Sequence, residues 1–175
     1  MINTQINRKV IHTISHGLGE LNDKVVYVGG AVVSLYIDDK AAEDIRPTKD
    51  IDISLEIASI TELENLREDL SKKGFKQSHE DDVICRFRFA DIKVDVMATK
   101  AVGWAPANPW FESGFKLAIP INVDGALIKI LSLPYFLATK FSAFDDRGGK
   151  DPRFSTDFED ITYILNYTSN LKNKF

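Results

Sequence analysis

Hydrophobic and polar positions along the chain follow two periods, one typical of helices and the other typical of strands. Apolar residues three or four positions apart predict helices in these segments: 3–21, 31–37, 61–75, 134–144 and 157–171. Short alternating or continuous apolar runs predict strands in these segments: 24–28, 50–57, 83–89, 92–98, 117–121 and 126–131. The order of these elements predicts an α/β or α+β fold, in which a mixed β-sheet is flanked by helices and followed by C-terminal helices.

Two short connections in this pattern predict β-hairpins. Ala90-Asp91 joins the strands at 83–89 and 92–98, and "NVDG" at 122–125 joins the last two strands. Segment 101–116 holds both tryptophans and two prolines, and we predict that it is a structured loop.

Length and composition narrow the class of protein. At 175 residues the chain has the length of one domain, for which we expect a core at about 24–131 and a helical part at about 132–175. The net charge of −4 argues against a broad nucleic-acid footprint, although a bound cation or a local basic cluster reverses the sign at one site.

The same features bear on the compartment. No segment approaches the ~20 continuous apolar residues of a membrane helix, and the first residues lack the apolar core of a signal peptide. Cys85 is the single cysteine, so no intramolecular disulfide can form. We therefore expect a cytoplasmic protein without a membrane partner.

The strand at 50–57 carries two carboxylates on one face. Asp50 and Asp52 are next neighbours on its polar side, where their charges repel, and a solvent-facing strand surface accounts for them as well as a ligand site does. Asp95 lies on the polar side of 92–98. If the two strands are neighbours, three acids converge, and a hard cation such as Mg²⁺ would relieve their repulsion.

Gly29-Gly30 stands between a predicted strand and a predicted helix. Glycine lets a phosphate approach the backbone closely, and the N–H groups at a helix start point toward an anion. A tight strand-to-helix turn without any ligand is the alternative interpretation.

Six blocks of the chain resemble, in order, the AbiEii/AbiGii-toxin-like family of bacterial nucleotidyltransferases, which has a polymerase-beta-type nucleotidyltransferase fold. These blocks are "VGGAVVSLYI", "RPTKDIDI", "GFKQSHEDDVICRFRF", "VDVMA", "LPYFLATKFSAFDDRG" and "STDFEDI". The resemblance extends from about Val26 to Leu165, so it covers most of the chain and is far more specific than an isolated Asp-x-Asp motif.

The resemblance implies roles for the residues already singled out. Gly29 and Gly30 match the motif that holds the nucleoside triphosphate, and Asp50 and Asp52 match the metal-binding acid pair. Asp95 matches the third acid, which ligates metal and assists deprotonation of the attacking hydroxyl. The implied cofactor is a pair of Mg²⁺ ions, with Mn²⁺ as a substitute.

The resemblance also implies roles for residues in the C-terminal part. Lys140 matches a catalytic lysine that faces the nucleotide phosphates, and Asp157 matches a late catalytic acid, with Asp160 as its neighbour. The long connection before the acid pair leaves open which of three residues contacts the nucleotide: Arg46, Thr48 or Lys49.

The residues themselves allow structural interpretations of the same positions. Lys140 has apolar helical neighbours, so its amine can extend past them to solvent. Thr156 and Glu159 form a predicted capping box, in which Asp157 is favourable for the helix dipole alone. The nearby basic loop is either solvated or neutralises a triphosphate or an RNA backbone, through Arg147, Lys150 and Arg153.

The function implied is transfer of a nucleoside monophosphate from an NTP to an acceptor hydroxyl. The toxin-like relatives point to the 3′ end of tRNA as the acceptor and to an antitoxin protein as a partner. A small-molecule hydroxyl, as in aminoglycoside nucleotidyltransferases, is the enzymatic alternative. A non-catalytic nucleotide- or protein-binding module on the same fold is the alternative of another class.

Overall fold

A computed structural model of the protein describes residues 2–48, 50–147 and 151–175. The helices are α1 Ile2–Leu18, α2 Ile60–Lys72, α3 Phe111–Lys116, α4 Leu133–Asp146 and α5 Thr156–Tyr167. The strands are β1 Val25–Val28, β2 Asp50–Leu55, β3 Arg86–Phe89, β4 Ile92–Ala98, β5 Ile119–Val123 and β6 Ala126–Ile130. Short 3₁₀ helices cover Gly19–Lys24, Gly30–Tyr36, Pro152–Phe154 and Leu171–Asn173.

The strands form one mixed sheet with the order β3-β4-β2-β1-β6-β5. β2 is parallel to β4 and antiparallel to β1, and β1 is parallel to β6. This arrangement confirms the predicted mixed sheet flanked by helices. It also places the two acid-bearing strands, β2 and β4, next to each other.

Both predicted hairpins are present, and both have tight two-residue turns. Ala90 and Asp91 have φ angles of 47° and 63°, and Asp124 and Gly125 have φ angles of 52° and 95°. Positive φ at both turn positions matches the right-handed twist of the flanking strands, which is why such turns are favoured in hairpins.

Several predicted boundaries are wrong. The first α-helix ends at Leu18, before the predicted end at residue 21, and continues as a 3₁₀ helix. The short helix predicted after Gly29 is present as the 3₁₀ helix Gly30–Tyr36. The loop predicted at 101–116 contains the short helix α3, and the strand predicted at 83–89 begins only at Arg86. Periodicity in short segments does not distinguish these states, because each contains too few turns or alternations.

The core lies on both sides of the sheet. All four residues of β1 are buried, as are Ile51, Ile53 and Leu55 of β2. Ser54, which the alternation predicts to be solvated, is 1% exposed, and its hydroxyl has no hydrogen-bond partner among the described residues. Among the residues that the model covers, no helix is both long and apolar enough to cross a bilayer.

Candidate active site

Three acids lie on neighbouring strands. Asp50 and Asp52 belong to β2, and the parallel pairing places Asp52 directly beside Asp95 of β4. Adjacent positions of neighbouring strands bring side chains on the same face close together. The convergence expected from the two alternating patterns is therefore present for Asp52 and Asp95.

Asp95 is already paired with an arginine. The Arg86 guanidinium donates to both carboxylate oxygens, from Nε at 2.7 Å and from Nη2 at 2.8 Å, and this bidentate pair raises the pKa of Arg86. Arg86 lies on β3, whose antiparallel register places it opposite Asp95. Sequence analysis did not single out Arg86, although the alternation "RFRF" places Arg86 and Arg88 on one face of the strand.

Asp52 has an environment that disfavours its charge. Burial, followed by the charge of Asp95, raises the pKa of Asp52 from 3.8 to about 7; Asp50 adds to this, and Lys140 and Arg147 act in the opposite direction. A bound cation at this position would favour the charged form of Asp52 and lower its pKa again.

The acid pair fits a magnesium ion better than the three-acid set does. Within residues 2–48, 50–147 and 151–175, no three His, Cys, Asp or Glu side chains are grouped so that they could hold a metal ion. Arg86 occupies both oxygens of Asp95, which leaves Asp50 and Asp52 as the available carboxylates. Mg²⁺ is commonly bound by one or two carboxylates together with substrate phosphates, so this donor set suits it.

The two glycines have different surroundings. Gly29 has φ 74° and ψ −166°, a region that is essentially restricted to glycine, and a β-carbon there would lie 1.8 Å from Asp52 Oδ2. A β-carbon at Gly30 would lie 2.8 Å from Arg46 Nη2. The missing side chain at position 29 thus makes room for the Asp52 carboxylate, and the one at position 30 makes room for the Arg46 guanidinium.

Lys140 is buried between two acids. Its Nζ lies 3.1 Å from Asp157 Oδ1 and 2.7 Å from Asp160 Oδ2, and Arg147 also pairs with Asp157 at 2.5 Å. Arg46 Nη2 lies 3.5 Å from Asp160 Oδ2. We call Arg46, Lys140, Arg147, Asp157 and Asp160 the ion network. Lys140 is 6% exposed, so its amine does not extend to solvent.

The start of α5 differs from the predicted capping box. The N-cap is Ser155, whose hydroxyl accepts a hydrogen bond from the Phe158 amide, and Thr156 is the first helical residue. The predicted cap is wrong by one residue because both candidates are hydroxyl side chains. Asp157 is buried in the first turn, where its carboxylate pairs with Lys140 and Arg147.

Of the three residues predicted to compete for the nucleotide, two are described. The Arg46 side chain is 34% exposed and lies beside Gly30. The Thr48 hydroxyl lies 3.2 Å from both the backbone N and the backbone O of Asp50, so it is engaged within its own segment. Lys49 lies outside the described residues, and so does Lys150.

A cavity of about 260 Å³ adjoins these groups. Its polar wall contains four of the predicted site residues together with Arg147: Gly29, Asp52, Lys140 and Asp157. The remaining wall comes from β4, from 106–111 and from α4, and it includes Met97, Pro106 and Phe111. The sequence predicts only a structured loop for 106–111, because no motif marks this segment.

Comparisons with known proteins agree with this architecture. No family model and no curated protein sequence matches the chain. Solved structures do match it, among them three that are each under 20% identical in sequence. A crystal structure of an antigenic nucleotidyltransferase-like protein from Paracoccidioides brasiliensis has a TM-score of 0.61 at 19% identity; the match covers 93% of this chain and 76% of that one.

The other two structures are of ANT(2'')-Ia. One is a solution structure of this antibiotic-resistance factor, with a TM-score of 0.56 at 18% identity. The match covers 95% of this chain and 85% of that one. A crystal structure of ANT(2'')-Ia in complex with adenylyl-2''-tobramycin has a TM-score of 0.55 at 18% identity. The match covers 93% of this chain and 88% of that one. The chain therefore has the nucleotidyltransferase fold.

Proposed function

We propose that the protein is a metal-dependent nucleotidyltransferase, which transfers a nucleoside monophosphate from an NTP to an acceptor hydroxyl. The observation that carries the proposal is Asp52: a carboxylate with a pKa near 7, beside Asp95 and against Gly29, at a cavity in a nucleotidyltransferase fold. A partly buried acid cluster of this kind supports a cation-dependent site more than it supports a structural role.

Asp50 and Asp52 would hold Mg²⁺, which when bound supplies charge compensation for the triphosphate. Lys140 and Arg147 line the same cavity and would orient the phosphates. The acceptor oxygen attacks the α-phosphorus, the bond from that phosphorus to the bridging oxygen breaks, and pyrophosphate leaves. The sequence resemblance implies that Asp95 assists deprotonation of the attacking hydroxyl, and for that step one of its two hydrogen bonds to Arg86 would have to open.

The tRNA 3′ end is the acceptor suggested by the sequence resemblance to AbiEii/AbiGii-type toxins. An antitoxin partner and growth arrest on expression belong to the same proposal. The charge distribution offers limited support for an RNA acceptor, because each described arginine of the loop near α5 is already paired with an acid. Arg147 pairs with Asp157, and Arg153 pairs with Asp151.

A small-molecule hydroxyl is the second candidate acceptor. ANT(2'')-Ia, which shares the fold, was crystallised with adenylyl-2''-tobramycin, a nucleotide joined to a small molecule. The acidic total of the chain also suits a cationic acceptor better than a polyanion.

The test is incubation of the purified protein with each of the four α-labelled NTPs and Mg²⁺, with total RNA in one series and an aminoglycoside panel in another. A labelled product identifies the donor and the acceptor class together. The variant Asp50→Asn/Asp52→Asn should abolish labelling while its circular dichroism spectrum is unchanged. Glu68→Gln, which alters an exposed acid on α2, should retain full activity.

Persistence of labelling in the double Asn variant would refute the site assignment. Metal-dependent NTP binding without any product in either series would instead favour the non-catalytic binding module.

A further inference from the structure

Asn7, in the second turn of α1, is fully buried and makes two hydrogen bonds to the segment before β2. Its amide Nδ2 donates to the Arg46 carbonyl at 3.3 Å, and its Oδ1 accepts from the Thr48 amide at 2.9 Å. One side chain thereby satisfies a backbone acceptor and a backbone donor two residues apart, as a neighbouring strand does. The segment 46–48 is therefore fixed by a helix that is distant in sequence.

The same segment is attached to α1 at a second point. The Asp44 carboxylate accepts from the backbone amides of Asn3 and Thr4 at 2.8 and 3.1 Å, at the free end of α1. Ile45, between the two attachments, is 5% exposed. Residues 44–48 thus lie along α1, which determines where the Arg46 side chain leaves the backbone.

Arg46 extends from this segment toward the glycine turn. Its Nη2 is so close to Gly30 that a β-carbon there would be 2.8 Å away, and its nearest acid is Asp160 at 3.5 Å. Its buried Nε has no hydrogen-bond partner among residues 2–48, 50–147 and 151–175. Nε also lies 3.9 Å from Glu159 Oε2. Among the described residues the guanidinium makes one hydrogen bond, from Nη2 to Asp160, so Nη donors remain available beside the glycine turn.

We propose that Asn7 is a positioning residue for nucleotide binding, which holds segment 46–48 so that the Arg46 guanidinium stands beside Gly30 and contacts a phosphate of the bound NTP. The inference rests on the proposed nucleotidyltransferase function. It assigns the nucleotide contact to Arg46 instead of Thr48, whose amide and hydroxyl are used within the protein. It also gives α1 a part in the site, although that helix contributes little to the sequence resemblance.

The test measures binding of Mg²⁺ with each of the four ribonucleoside triphosphates to the full chain by titration calorimetry. Asn7→Leu removes both hydrogen bonds at similar volume, and we expect it to weaken binding about tenfold or more, as loss of a supporting hydrogen bond commonly does. The matched control is Asn22→Ala. Asn22 also makes two hydrogen bonds, to Leu127 O and with the Tyr27 hydroxyl, but it does not contact segment 46–48.

A double-mutant cycle distinguishes positioning from general destabilisation. If Asn7 acts through Arg46, the change Asn7→Leu should have little further effect on binding in an Arg46→Ala background. Circular dichroism and thermal unfolding verify the fold of each variant. If Asn7→Leu does not fold, Asn7→Ser replaces it in the cycle. This milder variant keeps a hydrogen-bonding group at the same place.

The outcomes separate the two proposals. Binding of no NTP by the wild-type chain overturns the proposed function and this inference with it. Binding by the wild type with an unchanged dissociation constant in folded Asn7 variants overturns only the role of Asn7. Additive effects of Asn7 and Arg46 substitutions likewise overturn it, because they show that the two residues act independently.

Discussion

The Asp52 carboxylate lies against the α-carbon of Gly29, so close that a β-carbon at position 29 would be 1.8 Å from Oδ2. The position of the Asp52 carboxylate therefore depends on the absence of a side chain at Gly29, and the Asp52 carboxylate in turn excludes a larger residue from the glycine turn. A motif that sequence analysis interprets as a phosphate cradle also serves as the space in which a candidate metal ligand is held.

Gly29→Ala should destabilise the protein and displace Asp52. The backbone strain costs roughly 1–3 kcal/mol, and the clash with a buried carboxylate adds to it. Denaturant unfolding should show a loss of about 2 kcal/mol or more, together with loss of nucleotide transfer. Gly125→Ala is the control, because it has φ 95° but open space around the added carbon. Equal losses in stability for the two variants would contradict the proposed clash.

The raised pKa of Asp52 should make stability depend on pH with a definite sign. In the folded state Asp52 keeps its proton up to about pH 7, whereas the unfolded state releases it near pH 3.8. The contribution of this proton to the free energy of unfolding is therefore fully present below pH 4 and declines as pH rises to 7. The decline is roughly 1.4 kcal/mol per pH unit at most. Asp52→Asn should therefore be more stable than the wild type at pH 8 and equal to it at pH 4, and Mg²⁺ should reduce the difference at pH 8.

Asp38 provides a control of opposite sign for the same measurement. The Ser169 amide, then Lys174, lowers the pKa of Asp38 to about 2. Its contribution to stability is present above pH 4 and is lost as pH falls through 2, so Asp38→Asn should be less stable than the wild type at pH 8. A gain in stability at pH 8 from both substitutions would show that loss of negative charge in general, and not the surroundings of Asp52, is responsible.

Lys140 neutralises the charge of two buried carboxylates, so its removal should lower the free energy of unfolding. Lys140→Met keeps much of the volume but leaves Asp160 and Asp157 with fewer partners, and breaking a buried ion pair from one side costs about 3–5 kcal/mol. Chemical denaturation measures this loss. Lys72→Met removes an exposed lysine whose pairs lie on the surface of α2, and the expected change is within about 1 kcal/mol. Similar changes for both variants would contradict the burial of the network.

Arg86 should control the charge of the acid cluster. Arg86→Gln leaves Asp95 without its bidentate partner and makes the cluster more negative, so we expect tighter Mn²⁺ binding in a titration followed by electron paramagnetic resonance. Arg88→Gln is the matched control on the same strand, because Arg88 makes an equivalent bidentate pair with Asp81. Equal Mn²⁺ affinities in the two variants would show that Arg86 does not act on the metal site.

Periodicity along the chain was sufficient for the six strands, for both hairpins and for every α-helix except α3. It also placed Asp50 and Asp52 on one face of a strand and made Asp95 a candidate neighbour, which the parallel pairing of β2 with β4 bears out. These features depend on neighbours in sequence, namely the two-residue repeat of a strand and the turn preferences of residues such as Asp124-Gly125.

Only the tertiary structure decided which groups accompany those acids. Arg86 donates hydrogen bonds to Asp95 from the neighbouring strand. Asn7 binds segment 46–48, which is about 40 positions away in sequence, and Arg46 contacts Asp160, which is 114 positions away. Ser54 is buried although its strand alternates, whereas Asp50 and Asp52 on the same face are only partly buried. The chain's own pattern determines which face a side chain occupies, whereas the order of strands and the packing of helices determine what it meets there.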